Sequence, residues 1–73
     1  MKNLNLRHNR QSDYKRNSII KVLRTGGIVK VTVLAKSTDI KDGRAGFDGF
    51  LTDDKNEKMV WGYDAQITEI VSK

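Results

Sequence analysis

The feature that most constrains this fold is a glycine pair, Gly26-Gly27, which separates two short apolar runs in the stretch IIKVLRTGGIVKVTVL. In one interpretation, the pair closes a β-hairpin between the two runs. In the other, Gly26 ends an N-terminal helix in a left-handed C-cap, and a strand begins after it. The choice decides on which face of the protein the preceding basic residues lie.

The pattern over residues 13–24 favours the helix. Ser12 and Asp13 are good N-cap residues, and the apolar side chains that follow would cover one broad arc of a helical wheel. Lys21 and Arg24 would share the opposite, solvent-facing side. Most of the apolar residues are β-branched, however, and this lowers their helix propensity.

The hairpin remains the alternative. With the glycine pair as a two-residue turn, Val22 would face Val31, and the apolar residues of both runs would lie on one side of the ribbon. If residues 14–24 pair with residues 28–35 as a strand, the helix and its basic face are both wrong.

The rest of the chain is typical of short antiparallel strands. Valine alternates with polar residues in IVKVTVL, a loop follows it, and Asp42-Gly43 is a strong turn signal. Two glycines inside AGFDGFLTD indicate a bend or bulge of the kind that curls a small sheet. We predict strands over residues 28–35, 45–53, 58–63 and 67–73, with a short turn over residues 64–66.

These elements predict an α+β protein. It would have an N-terminal flexible basic arm (residues 1–11) and one small domain (residues 12–73). The domain would consist of a short helix followed by a small, strongly bent antiparallel sheet or barrel of four to five strands. A chain of 73 residues forms one domain at most, and its core is small.

The order of these elements resembles the Sm-like small β-barrel. The stretches IVKVTVL and KDGRAGFDGFLTDD are similar to that family's valine-alternating strand, Asp-Gly-Arg-type turn and glycine-bent strand, and the resemblance covers residues 14–63. It implies an N-terminal helix followed by a bent antiparallel sheet. The family's second motif is not matched by WGYDAQITEI, so the resemblance implies no RNA-contacting residue in this chain. The chain also has the general look of a small phage or mobile-element protein.

Charge is distributed unevenly along the chain. Residues 1–24 hold seven basic residues against Asp13 alone, whereas residues 25–73 hold seven basic and eight acidic residues. Such an asymmetry suggests a polyanionic partner, although a solvated basic tail has the same composition. The candidate nucleic-acid contacts on the phosphate backbone are Arg7, Arg10, Lys15, Arg16, Lys21 and Arg24.

Residues suited to catalysis are scarce. The chain has no cysteine, and its single histidine, His8, lies in the predicted arm. The carboxylates cluster where turns are expected and lack the spacing of a calcium loop. We therefore predict no enzyme activity, no metal site and no cofactor. With no apolar targeting segment, a cytoplasmic location without membrane contact is the expectation.

Two classes of function fit these features. The first is a small non-enzymatic nucleic-acid-binding protein, for DNA or RNA with little sequence preference, that uses the basic arm and helix. The alternative is a protein-interaction module, a small regulator or inhibitor that docks on a larger acidic protein and is of the kind encoded by phages. Self-association into a homo-oligomer is a third expectation for so small a core.

The aromatic residues are candidates either for the core or for a binding surface, depending on which face of the sheet they occupy. Met59, Trp61 and Tyr63 share one face of a predicted strand, and we expect Trp61 to be buried beside Val31 or Val33. Phe50 points away from the predicted core, so it is the aromatic residue expected to be at least partly exposed. An exposed Phe50 would mark a binding surface.

Overall fold

The structure, a computed structural model, describes residues 11–73 and contains one five-stranded antiparallel sheet. The elements in chain order are β1 (Ile19–Arg24), β2 (Gly27–Lys41), β3 (Arg44–Leu51), β4 (Met59–Tyr63), the 3₁₀ turn η1 (Asp64–Gln66) and β5 (Ile67–Ser72). The spatial order of the strands is β4-β3-β2-β1-β5. The sheet is open, and β4 and β5 are its edges. Residues 1–10, most of the predicted arm, lie outside the described residues.

The predicted helix over residues 13–24 is wrong, and so is the α+β class. The second half of this segment is β1, which pairs with β2 so that Ile20 lies opposite Val31. The hairpin alternative names the correct elements, but Thr25 and Gly26 form the turn and the register differs from the one considered. The β-branched residues of the first run favour extended backbone, and pairing with β2 supplies hydrogen-bond partners for that backbone.

The second strand is longer than the sequence pattern predicts. β2 continues through the expected loop to Lys41, which lies opposite Arg44 of β3. The predicted turn at Asp42-Gly43 is confirmed, and both residues have positive φ, 57° and 77°. Two central residues of positive φ match a type I′ turn, whose twist suits a two-residue hairpin. The segment 36–41 pairs irregularly with β3. Its mixed polar sequence lacks the alternation that would predict a strand.

The core lies on one face of the sheet. The side chains buried there alternate with exposed ones along β1, β2 and β3, and Tyr14 from the N-terminal segment packs among them. The Tyr14 and Phe47 rings meet edge to face, with their centroids 6.4 Å apart. The buried apolar residues are Tyr14, Ile20, Val22, Val31, Val33, Phe47, Val60 and Ile67.

Two glycines allow the strands around β3 to approach closely. A Cβ on Gly49 would lie 2.2 Å from the Thr32 carbonyl oxygen, which is shorter than any tolerable contact. A Cβ on Gly62 of β4 would lie 2.8 Å from the Phe47 ring. Phe47 therefore occupies the centre of the core because its neighbour in β4 has no side chain.

We expect Gly49→Ala to destabilise the fold by about 1–3 kcal/mol, because the Thr32 backbone must shift to make room for the new methyl group. Gly26→Ala is the matched control, since nothing lies within 4 Å of a Cβ at that turn position and its φ is not positive. Urea denaturation of both variants would measure the effect. Equal stability of the two variants would contradict the close approach at Gly49.

Candidate functional site

The buried carboxylate of Asp64 is one candidate for a functional group. It is fully buried at the start of η1 and accepts hydrogen bonds from the Tyr14 hydroxyl and from Gln11 Nε2, the latter at 3.1 and 3.2 Å. Gln11 Nε2 also donates to the Gly46 carbonyl at 2.9 Å. These contacts join the N-terminal segment to β3 and η1. The carboxylate is enclosed by its own protein's donors, so it has a structural role.

Tyr14→Phe should lower stability by about 1–3 kcal/mol, because it removes a hydrogen-bond partner from a buried polar group while preserving the ring. Tyr63→Phe is the matched control, since Tyr63 is partly exposed and lies on β4. Thermal unfolding followed by circular dichroism would compare the two variants. A Tyr14→Phe protein as stable as Tyr63→Phe would show that the link to Asp64 contributes nothing.

The second candidate is an exposed surface that we call the aromatic patch, formed by Trp61, Tyr63, Lys41 and Arg44. Trp61 and Tyr63 lie on the same face of β4. The residues that alternate with them, Val60 and Gly62, are buried on the core side. Their rings meet edge to face at a centroid distance of 5.4 Å. Trp61 is 44% exposed, which is unusual for the only tryptophan of a small protein.

Cations cover both rings of the aromatic patch. Lys41 Nζ lies 5.5 Å from the Trp61 ring centroid, and the Arg44 guanidinium carbon lies 4.4 Å from that of Tyr63. Both distances are typical of cation–π contacts, which contribute only about 0.5–1 kcal/mol at exposed sites. The type I′ turn positions the two cations, because Lys41 and Arg44 are the residues that flank it.

The predicted burial of Trp61 is wrong. The three residues Met59, Trp61 and Tyr63 do share a face, but this face is directed to solvent, and Met59 is 61% exposed. Phe50 is partly exposed, as predicted, and lies opposite Met59 in the neighbouring strand. Phe50 thus continues the row of large side chains on the outer face of β3 and β4.

The predicted basic face formed by Lys21 and Arg24 does not exist. Residues three apart on a strand point to opposite sides of the sheet. Lys21 Nζ lies 3.4 Å from a Glu69 carboxylate oxygen, whereas Arg24 is exposed at the end of β1. Lys15 and Arg16 are exposed in the turn region before β1. The remaining predicted contacts, Arg7 and Arg10, lie outside the described residues.

Sequence reasoning missed Lys41, Arg44 and Tyr63 as site residues. The available signal was Gly62, because glycine inside a strand marks a close approach and so indicates the core-facing side of β4. The face opposite Gly62 then carries the aromatic residues. The position of the cations depended on how far β2 extends, and its polar second half gave no clear strand pattern.

Other classes of site are not supported within residues 11–73. No group of three or more histidine, cysteine or acidic residues is arranged to hold a metal ion in this part of the chain. Across the same residues, no helix has the length and apolar character required to cross a membrane. No protein-family model, curated protein or solved structure matches the chain.

The exposure of Trp61 predicts a red-shifted fluorescence emission that acrylamide quenches freely in the folded protein. Trp61→Ala should leave the fold intact, whereas Phe47→Ala should cost about 3–5 kcal/mol and unfold so small a domain. Emission spectra and circular dichroism would test both statements. A blue-shifted, poorly quenched emission would put Trp61 in the core and remove the aromatic patch.

Proposed function

We propose that this chain is a small non-enzymatic protein that binds single-stranded nucleic acid. In this proposal, bases stack on Trp61 and Tyr63, and Lys41 and Arg44 contact phosphates. The single observation that carries the proposal is the pair of exposed strand aromatics with a cation over each ring. Proteins that bind single strands without sequence preference combine these two features.

Stacking supports the proposal because it offers a reason for an exposed tryptophan. Every base has a π face, and base–aromatic stacking contributes about 1–3 kcal/mol per base. The perpendicular arrangement of the Trp61 and Tyr63 rings presents two differently oriented surfaces, which suits successive bases that are splayed apart. A regular duplex keeps its bases stacked on one another and could not use such surfaces.

The cations support the proposal because their contacts with the rings are weak. Lys41 and Arg44 are exposed, and within residues 11–73 neither forms an ion pair with a carboxylate. Moving their charges from a ring to a phosphate therefore breaks only a cation–π contact. By contrast, Lys21 and Lys30 lie near the carboxylates of Glu69 and Asp53. The patch cations are thus better placed for an anionic ligand than the lysines of β1 and the start of β2.

The position of the N-terminal segment supports a contribution from the arm. Gln11 donates a hydrogen bond to the Gly46 carbonyl, and Gly46 is the cross-strand partner of Tyr63. The described chain therefore begins at the end of the sheet where the aromatic patch lies, with Tyr14 on the core face and the rings on the opposite face. Arg7 and Arg10 are within a few residues of this point, and an extended chain spans about 3.3–3.6 Å per residue.

Binding of a fluorescent thymidine oligonucleotide of about ten nucleotides, measured by anisotropy, would test the proposal. We expect Trp61→Ala to weaken binding by about 5-fold to 150-fold, the equivalent of one lost stacking contact. Lys41→Gln should reduce the slope of log affinity against log salt by about 0.7, the value for one phosphate contact on a single strand. Arg7→Gln with Arg10→Gln should reduce it by about twice that amount.

Leu23→Ala is the matched control, because Leu23 is also an exposed large apolar residue but lies on β1, away from the patch. It should bind like the wild type. Undetectable binding by the wild-type protein at low salt would contradict nucleic-acid binding and favour the alternative of a protein-interaction module. Tight binding that Trp61→Ala leaves unchanged would remove the aromatic patch from the mechanism.

A further inference from the structure

Resting on the proposed function, we infer that Asp48 gives the aromatic patch a preference for guanine over the other bases. Asp48 is the cross-strand partner of Trp61, and both residues are exposed on the outer face of the sheet. Directly paired side chains have Cβ atoms about 4.5–5.5 Å apart. The Asp48 carboxylate therefore lies at the edge of any base that stacks on Trp61.

The surroundings of Asp48 leave its carboxylate available to a ligand. On the side of β2, its cross-strand partner is Ala35, which carries only a methyl group. Among residues 11–73, the carboxylate forms neither an ion pair nor a hydrogen bond with a side chain. A charge in this place opposes phosphate binding, so the nucleic-acid groups that can approach it are hydrogen-bond donors.

The donor pattern of the bases then determines the preference. An ionised carboxylate only accepts hydrogen bonds, and it accepts two in parallel from a group that presents adjacent donors. Guanine presents such a pair, its N1–H and its N2 amino group, on one edge. Cytosine and adenine present one amino group beside an unprotonated ring nitrogen, and thymine or uracil presents one N–H between two carbonyl oxygens. Guanine alone can make two bonds to Asp48 without placing an acceptor against it.

The test uses the full-length protein and thymidine oligonucleotides of about ten nucleotides in which one central base is replaced by guanine, cytosine, adenine or hypoxanthine. A single guanine avoids the folded structures of guanine-rich strands. We expect the guanine oligonucleotide to bind about tenfold more tightly than the thymidine one, the effect of one bidentate contact. Hypoxanthine lacks the 2-amino group, so it should lose most of that gain.

Asp48→Asn should abolish the guanine preference while leaving thymidine binding equal or stronger, because a repelling charge is removed. Glu69→Gln is the matched control, since it removes an exposed negative charge on the far edge strand β5, and it should retain the preference. Equal wild-type affinity for all the substituted oligonucleotides, or a guanine preference that survives in Asp48→Asn, would overturn the inference and leave the proposed function standing. Absence of binding to every oligonucleotide would overturn the proposed function itself.

Discussion

The register of β3 between its two neighbours is the constraint on which the rest of the structure depends. Side chains alternate along a strand, so Asp48 faces solvent because Phe47 lies in the core. Trp61 also faces solvent, because it is the cross-strand partner of Asp48 and paired residues share a face. A shift of one residue would exchange the two faces. Gly49 and Gly62 favour the observed register. A shifted register would put a residue with a side chain in their places, where it would collide with the β2 backbone or with the Phe47 ring. The exposed aromatic patch is thus a consequence of how the core packs.

The core face of the sheet is covered in part by the N-terminal segment, which is not the helix that the sequence predicts. Gln11 and Tyr14 hold this segment in place through hydrogen bonds to Asp64, and we call these three residues the polar lock. Tyr14 places its ring against Phe47, and its hydroxyl donates to the buried carboxylate of Asp64. Lys36 Nζ donates to the Tyr14 carbonyl at 2.7 Å and lies 5.4 Å from the Tyr14 ring centroid. A buried carboxylate is tolerated only where donors surround it, so Gln11 and Tyr14 fix this segment in one position. The contacts of this polar lock connect the packing of the core to the position of Gln11, the first described residue.

The sequence predicts the strands of this protein better than its faces. Alternating valines, the Asp42-Gly43 turn and the glycine-bent segment identify β2, β3 and the turn between them. Local signals mislead at the N-terminus, because polar residues that suit a helix cap also suit turns. The partner strand that makes residues 19–24 extended lies beyond the glycine pair. For Trp61, size and hydrophobicity favour burial, whereas the smaller Val60 and Gly62 are what fit beside Phe47. Packing at that contact is a property of three strands together, and no single segment encodes it.

The strand order determines how far the basic residues of β1 lie from the aromatic patch. The basic excess lies in the first third of the chain, whereas Trp61 and Tyr63 lie in β4, and β2 and β3 separate β4 from β1. Strands spaced about 4.8 Å apart would keep a basic face on β1 roughly 14 Å from the patch, beyond the screening length of about 8 Å at physiological salt. The hydrogen bond from Gln11 to Gly46 brings the start of the described chain back to the Tyr63 end of the sheet. The described chain therefore begins near the Tyr63 end of the sheet, and the hydrogen bonds that fix Gln11 there are also the ones that satisfy the buried carboxylate of Asp64.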